Sequence, residues 1–468
     1  MSKTKIICTL GPASNLENII RQLANSNMNC ARINLSHGSC EENLPVVNLV
    51  KKVRQKLNKP IAIMFDTKGP EIRIGKFENG KVFLKKGNIF KITTKDVLGN
   101  EEIVSCSYKN ICNDVKIGTK ILVNDGLVVL KVVNISDDTL ETKVLTGGKL
   151  TNKKSMFLPN TTLHLPFLSE QDKKDLKFAV ECDADYIAAS FVSCKEDVIQ
   201  LKNYLNKLGG KGIKIISKIE SLRGVKNIDE ILDVSDGIMV ARGDLGVEIS
   251  IEKLPQIQKS LIQRANEKGK LAITATEMLE SMIEKTRPTR AEVCDVANAV
   301  FDGSSAIMLS GETAIGVNPA NVVKTMEKIA NSAEKSLKNT TNIVVKKALD
   351  VTDSISHSTT IISNEIDAKA IVVFTVEGHT ARKVARFRPK KPILAFTISN
   401  KVYNQLALYY NVCPQKCKEF STIEELLVIA TKTVKKLHFA KNGDNIVISA
   451  GLPLGNAVAT NMIKIEKV

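Results

Sequence analysis

Two hydrophobic patterns alternate along most of this chain: short apolar runs of strand length, then stretches in which apolar residues return every three or four positions, as on one face of a helix. Residues 5–10, 30–35, 60–66, 185–190, 214–219, 237–242, 271–276 and 305–310 read as the strands. Eight strand–helix units in series are what a closed parallel barrel requires. The first helix pattern, 16–25, has Ser14 and Glu17 three positions apart at its start, which predicts a capping box.

The spacing breaks once. Residues 69–166 hold Gly and Asn turns and alternating segments at 81–84, 89–93, 120–123 and 127–132, predicting a small all-β domain inserted at one end of the barrel, placed as a lid. After the barrel, 335–350 reads as a connecting helix with a polar joint at 339–342. Apolar strands at 370–374, 393–397 and 445–450 then predict an open α/β sheet. The expected fold class is therefore α/β: a (β/α)8 barrel (1–69 and 167–338), an inserted β-barrel lid (70–166), and a C-terminal open α/β domain (350–468) with a possible regulatory site and oligomer contacts.

Barrel enzymes react at the carboxyl ends of their strands, and polar residues collect there: Arg32, Asn34 and Ser36 on strand two, Asp66 and Thr67 on strand three, Lys218 and Glu220 on strand five. Arg242, Gly243 and Asp244 follow on strand six, Thr274 and Thr276 on strand seven, Ser310 and Glu312 on strand eight. The opposite ends read as lacking a comparable concentration. Strand alternation sends Lys218 with Glu220, and Arg242 with Asp244, to one side each, so two cations and two carboxylates are expected to meet.

Such a set suits phosphoryl transfer: Arg32 to grip phosphate, Lys218 to balance charge on the migrating group, Glu220 and Asp244 to carry Mg2+. Gly243 admits a ligand close to the backbone, and the amides opening the next helix suit a carboxylate. Structural ion pairs at the rim are the competing reading. Asn34, Ser36, Asp66 and Thr67 are hard oxygen donors fit for a monovalent cation, or else ordinary hydrogen-bonded side chains. Of five histidines, His37 alone lies at a barrel exit.

Composition narrows the functions. The 468 residues suffice for two or three domains, and 43% hydrophobic with 25% charged residues fits a soluble globular protein. No apolar run is long enough to span a membrane and the N-terminal run is too short for a signal, so a cytoplasmic location is expected. Ten scattered cysteines show no metal or disulfide spacing. The net charge of +17 favours anions, but the lysines are dispersed, aromatics make up 4% and Trp is absent. Small phosphorylated ligands therefore fit better than nucleic acid. The sequence contains neither a Walker A motif nor Gly-x-Gly-x-x-Gly after a strand, and no evident Ser-His-Asp set.

The segments 4–14 (TKIICTLGPAS), 31–38 (ARINLSHG), 66–73 (DTKGPEIR), 216–220 (ISKIE), 237–246 (GIMVARGDLG), 287–292 (RPTRAE) and 308–314 (MLSGETA) resemble, in order, those of pyruvate kinases. The resemblance implies transfer of the phosphoryl group of phosphoenolpyruvate to ADP, giving pyruvate and ATP, in a cytoplasmic homotetramer requiring Mg2+ (or Mn2+) and K+. Carried over by motif, Arg32 binds substrate phosphate, Lys218 stabilises the transferring group, Glu220 and Asp244 bind Mg2+, and Gly243 and Asp244 contact substrate. Asn34, Ser36, Asp66 and Thr67 match K+ ligands, Glu71 matches K+-requiring members, and Thr276 is linked to protonating the enolate. Asn34, Leu35, Ser36, His37 and Arg73 match nucleotide contacts.

Two departures stand out. Ser193-Cys194-Lys195 stands where a basic nucleotide contact is expected after strand four. Glu377 lies in the loop 375–380, which otherwise resembles an anion-binding turn and where sugar-phosphate-regulated members have a small hydroxyl residue, so activation by fructose 1,6-bisphosphate is not expected. The chain also ends at Val468, before the extra terminal domain of some bacterial members. Two other readings remain open at this point: a metal-dependent keto-acid lyase with a Schiff base on Lys218, and an inactive family member acting as a binding protein.

Overall fold

The computed structural model describes residues 2–159, 161, 163–337, 350–453 and 459–468. Its central element is a closed barrel of parallel strands: Lys5–Thr9, Met28–Asn34, Ala62–Asp66, Tyr186–Ala189, Lys214–Ile219, Gly237–Ala241, Leu271–Ala275 and Ala306–Leu309. The ring closes where the first strand pairs with the eighth, Lys5 beside Ala306 through Cys8 beside Leu309. These strands are apolar on both faces because both are covered. Ile7, Met64, Tyr186, Met239 and Met308 fill the barrel interior, whereas Ile6, Ile33, Ile63, Ile187 and Val240 pack outward beneath the helices.

The first helix, Glu17–Asn25, lacks the expected cap. Leu16 occupies its N-cap, and the buried Ser14 instead accepts from the Gly11 N–H at 3.1 Å, closing the turn before the helix. Reciprocal capping boxes occur at Ser39/Glu42, Ser169/Asp172 and Thr289/Glu292. Strands six and seven stop one residue early, because Arg242 opens the helix Arg242–Glu248 and Thr276 adopts a left-handed backbone, φ 66°.

The insertion folds as a β unit interrupted by one single-turn helix, Ile111–Asp114, with its own core around Phe90, Ile92, Leu130 and Val144. Lys81–Leu84 pairs antiparallel with Gly148–Thr151, and a six-stranded sheet holds Ile89–Thr93 and Lys120–Val123 as expected, with Val128–Ile135 one residue later and longer than read. The C-terminal sheet runs Val412–Lys416, Ile393–Thr397, Ala370–Phe374, Asn445–Ala450 and Met462–Lys467, parallel except for the last. Its outer two strands escaped the hydrophobic pattern, one being largely polar and the other half exposed. The helix Pro319–Ser336 is present, but the polar joint at 339–342 lies outside the described residues.

The amino-terminal rim also departs from expectation, since Lys5, Asp185, Lys214 and Asp236 all lie at strand starts. Lys5 donates to the Val412 carbonyl at 2.8 Å, and Gln405 donates to the carbonyls of Asp185 and Gly212. Leu406, Leu408 and Tyr409 close this end and join the barrel interior to Ile371 and Val373 of the C-terminal sheet in one core. Among the described residues no helix is long and apolar enough to cross a membrane.

Candidate active site

At the other rim a chain of charged groups runs across four strand ends. Arg32, 8% exposed, places Nε 2.7 Å from Asp66 Oδ2 and donates through Nη1 to Thr9 Oγ1 at 2.8 Å. Neighbouring register, with Arg32 beside Met64 and Asn34 beside Asp66, makes the first contact possible. Lys218 Nζ lies 3.1 Å from Asp66 Oδ1 and 2.9 Å from Glu220 Oε1, and donates to Ser190 Oγ at 2.7 Å. Glu220 is fully buried. Its Oε2 accepts the Phe191 N–H at 2.6 Å, whereas Oε1 has Lys218 nearby but no hydrogen-bond partner among the described residues.

Electrostatics follow from this crowding. Burial pulls the Lys218 ammonium down, but Asp66 and Glu220 outweigh it and hold the group well above the ordinary lysine value. Asp66 is likewise opposed by burial yet held below the usual carboxylate range by Arg32 and Lys218. Glu220 and Asp244, bonded to each other, are both pushed up, first by burial. Like charges in a desolvated site share a proton until a cation replaces it. A Schiff-base reading of Lys218 needs a free amine, which this environment disfavours.

Arg242 does not join the cluster. As the first residue of a helix it escapes strand alternation. Its Nη1 grips Asp295 at 2.7 and 2.8 Å, and its other nitrogens donate to the carbonyls of Thr276 and Glu277. Its effect on the site is to pin a strained loop, both of whose residues have positive φ. Thr276 Oγ1 accepts the Gly243 N–H at 2.9 Å and donates to the Ala275 carbonyl at 2.6 Å. Thr274 turns outward to Ser304, and Glu312 accepts from the N–H groups of Leu279 and Ser310, so both are ties between elements.

Asn34 Oδ1 accepts the Ser36 N–H at 3.1 Å, and Thr67 is tied to the fourth strand through Ala188 and Ser190. Leu35 is buried in the outer core, leaving only its main chain to offer a nucleotide, while Ser36 and His37 are exposed. Arg73 pairs with Glu71 and donates to the Lys153 carbonyl. Cys194 is buried, and Lys195 lies 4.0 Å from Glu196. Sequence reasoning missed Thr9 and Ser190, although each ends a strand in the same position as the residues it did select.

The donor set fits a hard divalent ion. Two adjacent buried carboxylates match Mg2+, which takes few carboxylates and leaves positions for phosphate and water. Groups of three or more His, Cys, Asp or Glu disposed for a metal do not occur among the described residues.

Residues 1–323 match the family described as "Pyruvate kinase, barrel domain", and residues 353–466 match "Pyruvate kinase, alpha/beta domain". The chain belongs to the pyruvate kinase family. It is 43% identical to a pyruvate kinase of Clostridium perfringens and 44% identical to one of Clostridium acetobutylicum, each over the whole of both chains. A crystal structure of a pyruvate kinase from Cryptosporidium parvum superposes with a TM-score of 0.95 at 38% identity, covering all of this chain and 96% of that one. Like other pyruvate kinases, the protein is a phosphotransferase dependent on metal.

Proposed function

We propose that the buried charge chain is the phosphoryl-transfer centre of this pyruvate kinase family member, which moves the phosphoryl group of phosphoenolpyruvate to ADP and yields pyruvate and ATP. The observation that carries the assignment is the unbroken contact series Arg32–Asp66–Lys218–Glu220, continued to Asp244.

In this reading Glu220 and Asp244 hold Mg2+ (or Mn2+), which supplies Lewis-acid neutralisation of the substrate's oxygens. Arg32, fixed by Asp66 and Thr9, presents its remaining donors to the phosphate. Lys218, kept charged and steered by Ser190, faces the migrating group, where preorganised charge lowers the barrier without reorganisation. The main chain at Gly243 and the carboxylate of Asp244 border the substrate. Thr276 hands a proton to the enolate through water, because a hydroxyl is too weak an acid to act alone.

Asn34, Ser36, Asp66 and Thr67 form the K+ site, with Glu71 as its acidic neighbour. Arg73, His37, Asn34, Ser36 and the Leu35 backbone border the nucleotide. The working division is a barrel of 1–69 and 167–338, a lid of 70–166 and an α/β domain of 350–468, assembled as a cytoplasmic homotetramer. A coupled assay tests the reading: pyruvate forms from phosphoenolpyruvate and ADP only with Mg2+ and faster with K+. Absence of pyruvate under those conditions contradicts it.

A further inference from the structure

A cavity of about 590 Å3 lies between the inserted β domain and the barrel, beside the carboxyl ends of the fourth and fifth strands. Arg32, Asp66, Lys218, Glu220, Asp244 and Thr276 are all absent from its lining, although Glu71, Phe191 and Ser221 make it border the centre described above. Its walls mix the apolar side chains of Met156, Phe157, Leu163, Phe167, Phe191 and Leu222 with polar and charged groups in about equal measure. Its charged groups are unequally satisfied. Asp197 accepts the N–H groups of Ser193 and Cys194 and the Ser193 hydroxyl on Oδ2 alone, whereas Glu71 is paired with Arg73 and accepts from Ser155. Arg223 and Lys226, on the short helix Leu222–Lys226, form no ion pair among the described residues.

We propose that this cleft is a second ligand site, shaped for a small amphipathic organic acid whose apolar body lies between the two walls and whose carboxylate meets Arg223 and Lys226. The volume suits a body of about ten carbons. An apolar body gains from leaving water, and paired cations at the rim select the sign of the head group. The remaining acid in the cleft does not oppose an anion: burial pushes Glu248 up to about 7, so near neutrality much of it is uncharged and able to donate a hydrogen bond. The occupant would rest on Phe191, whose main-chain N–H holds Glu220, so the two sites share one residue.

Dodecanoate below its micellar concentration is the probe. The chain contains no Trp, so Leu222→Trp places a unique fluorophore in the cleft, and calorimetry on the unsubstituted chain gives a second reading independent of that variant's folding. Dodecanoate is expected to bind saturably by both methods. The combined variant Arg223→Ala with Lys226→Ala keeps parent turnover but binds at least tenfold more weakly, and dodecylammonium binds the parent at least tenfold more weakly than dodecanoate. Failure to saturate, undiminished binding in the double variant, or equal affinity for the two head groups overturns the proposal.

Discussion

At the amino-terminal rim of the barrel, Lys5 donates to the Val412 carbonyl, Asp185 accepts the Ile63 N–H and pairs with Arg54, and Lys214 faces Asp236 at 3.3 Å. At the carboxyl-terminal rim, Arg32, Asp66, Lys218 and Glu220 bond chiefly to one another. Charges of the first kind fasten distant chain segments, Lys5 joining the barrel to the C-terminal domain and the others joining barrel elements to one another. Charges of the second kind hold each other in a desolvated place, where Glu220 and Asp244 bring two carboxylates together. Burial alone does not separate structural from functional charge, since Lys5 and Asp185 are as buried as the charges of the other rim. What separates them is whether the charges stop at isolated pairs and main-chain contacts or run on through further ionisable side chains converging on one point.

Substitutions at the two rims should therefore fail in different ways. Lys218→Met is expected to lower turnover by about a thousandfold or more while the circular dichroism spectrum stays that of the parent. Near-parent turnover would remove Lys218 from the chemistry. Asp185 gives the next largest effect, this time in stability. Burial raises its carboxyl to about 6 from an ordinary 3.8. The folded state thus holds this proton more tightly than the unfolded one, an advantage that is complete below pH 3.8 and lost as pH rises through 6. Relative to the parent, Asp185→Asn should gain roughly 3 kcal/mol between pH 4 and pH 7, read from urea unfolding. Parallel pH profiles would contradict the assignment.

Gln405→Leu removes donors from two carbonyls at the same rim. It should cost about 2 kcal/mol of stability with kcat unchanged. A fall in kcat larger than the loss of folded protein would blur the distinction between the rims. Ser190→Ala, at the catalytic rim, should lower kcat about tenfold, because the charge-assisted hydrogen bond that aims Lys218 is lost, with about 1 kcal/mol of stability lost alongside it through the hydroxyl's bond to the Thr67 carbonyl.

How much of this was legible in the sequence depended on whether the chain was still a strand. Within Lys214–Ile219 and up to Asp66 on the third strand, alternation placed Lys218 and Asp66 correctly, and the barrel followed from the repeat of strand and helix patterns. Arg242 was misplaced because a helix begins there and alternation stops, and the left-handed turn at Thr276 and Glu277 carried no turn-forming residue to announce it. Ser14 had the spacing of a cap, yet the tight Gly11–Ser14 turn claimed its hydroxyl first. The amino-rim charges were visible as Lys5, Asp185, Lys214 and Asp236, but Lys5 meets its partner 407 positions away, and local pattern has no access to such pairings. The strand Val412–Lys416 was missed because a Pro and two polar residues fill a run buried by its neighbours rather than by its own composition.

The central claim is that Lys218, Glu220 and Asp244 converge on a single ion and a single phosphate. Equilibrium binding of Mn2+, followed by its electron paramagnetic resonance signal, tests this without any turnover. One tight site per chain is predicted, abolished or weakened at least tenfold in both Glu220→Gln and Asp244→Asn and retained in Lys218→Met. Parent-like Mn2+ binding in either carboxylate variant would mean that the ion sits elsewhere and that the buried chain of charges is only structural.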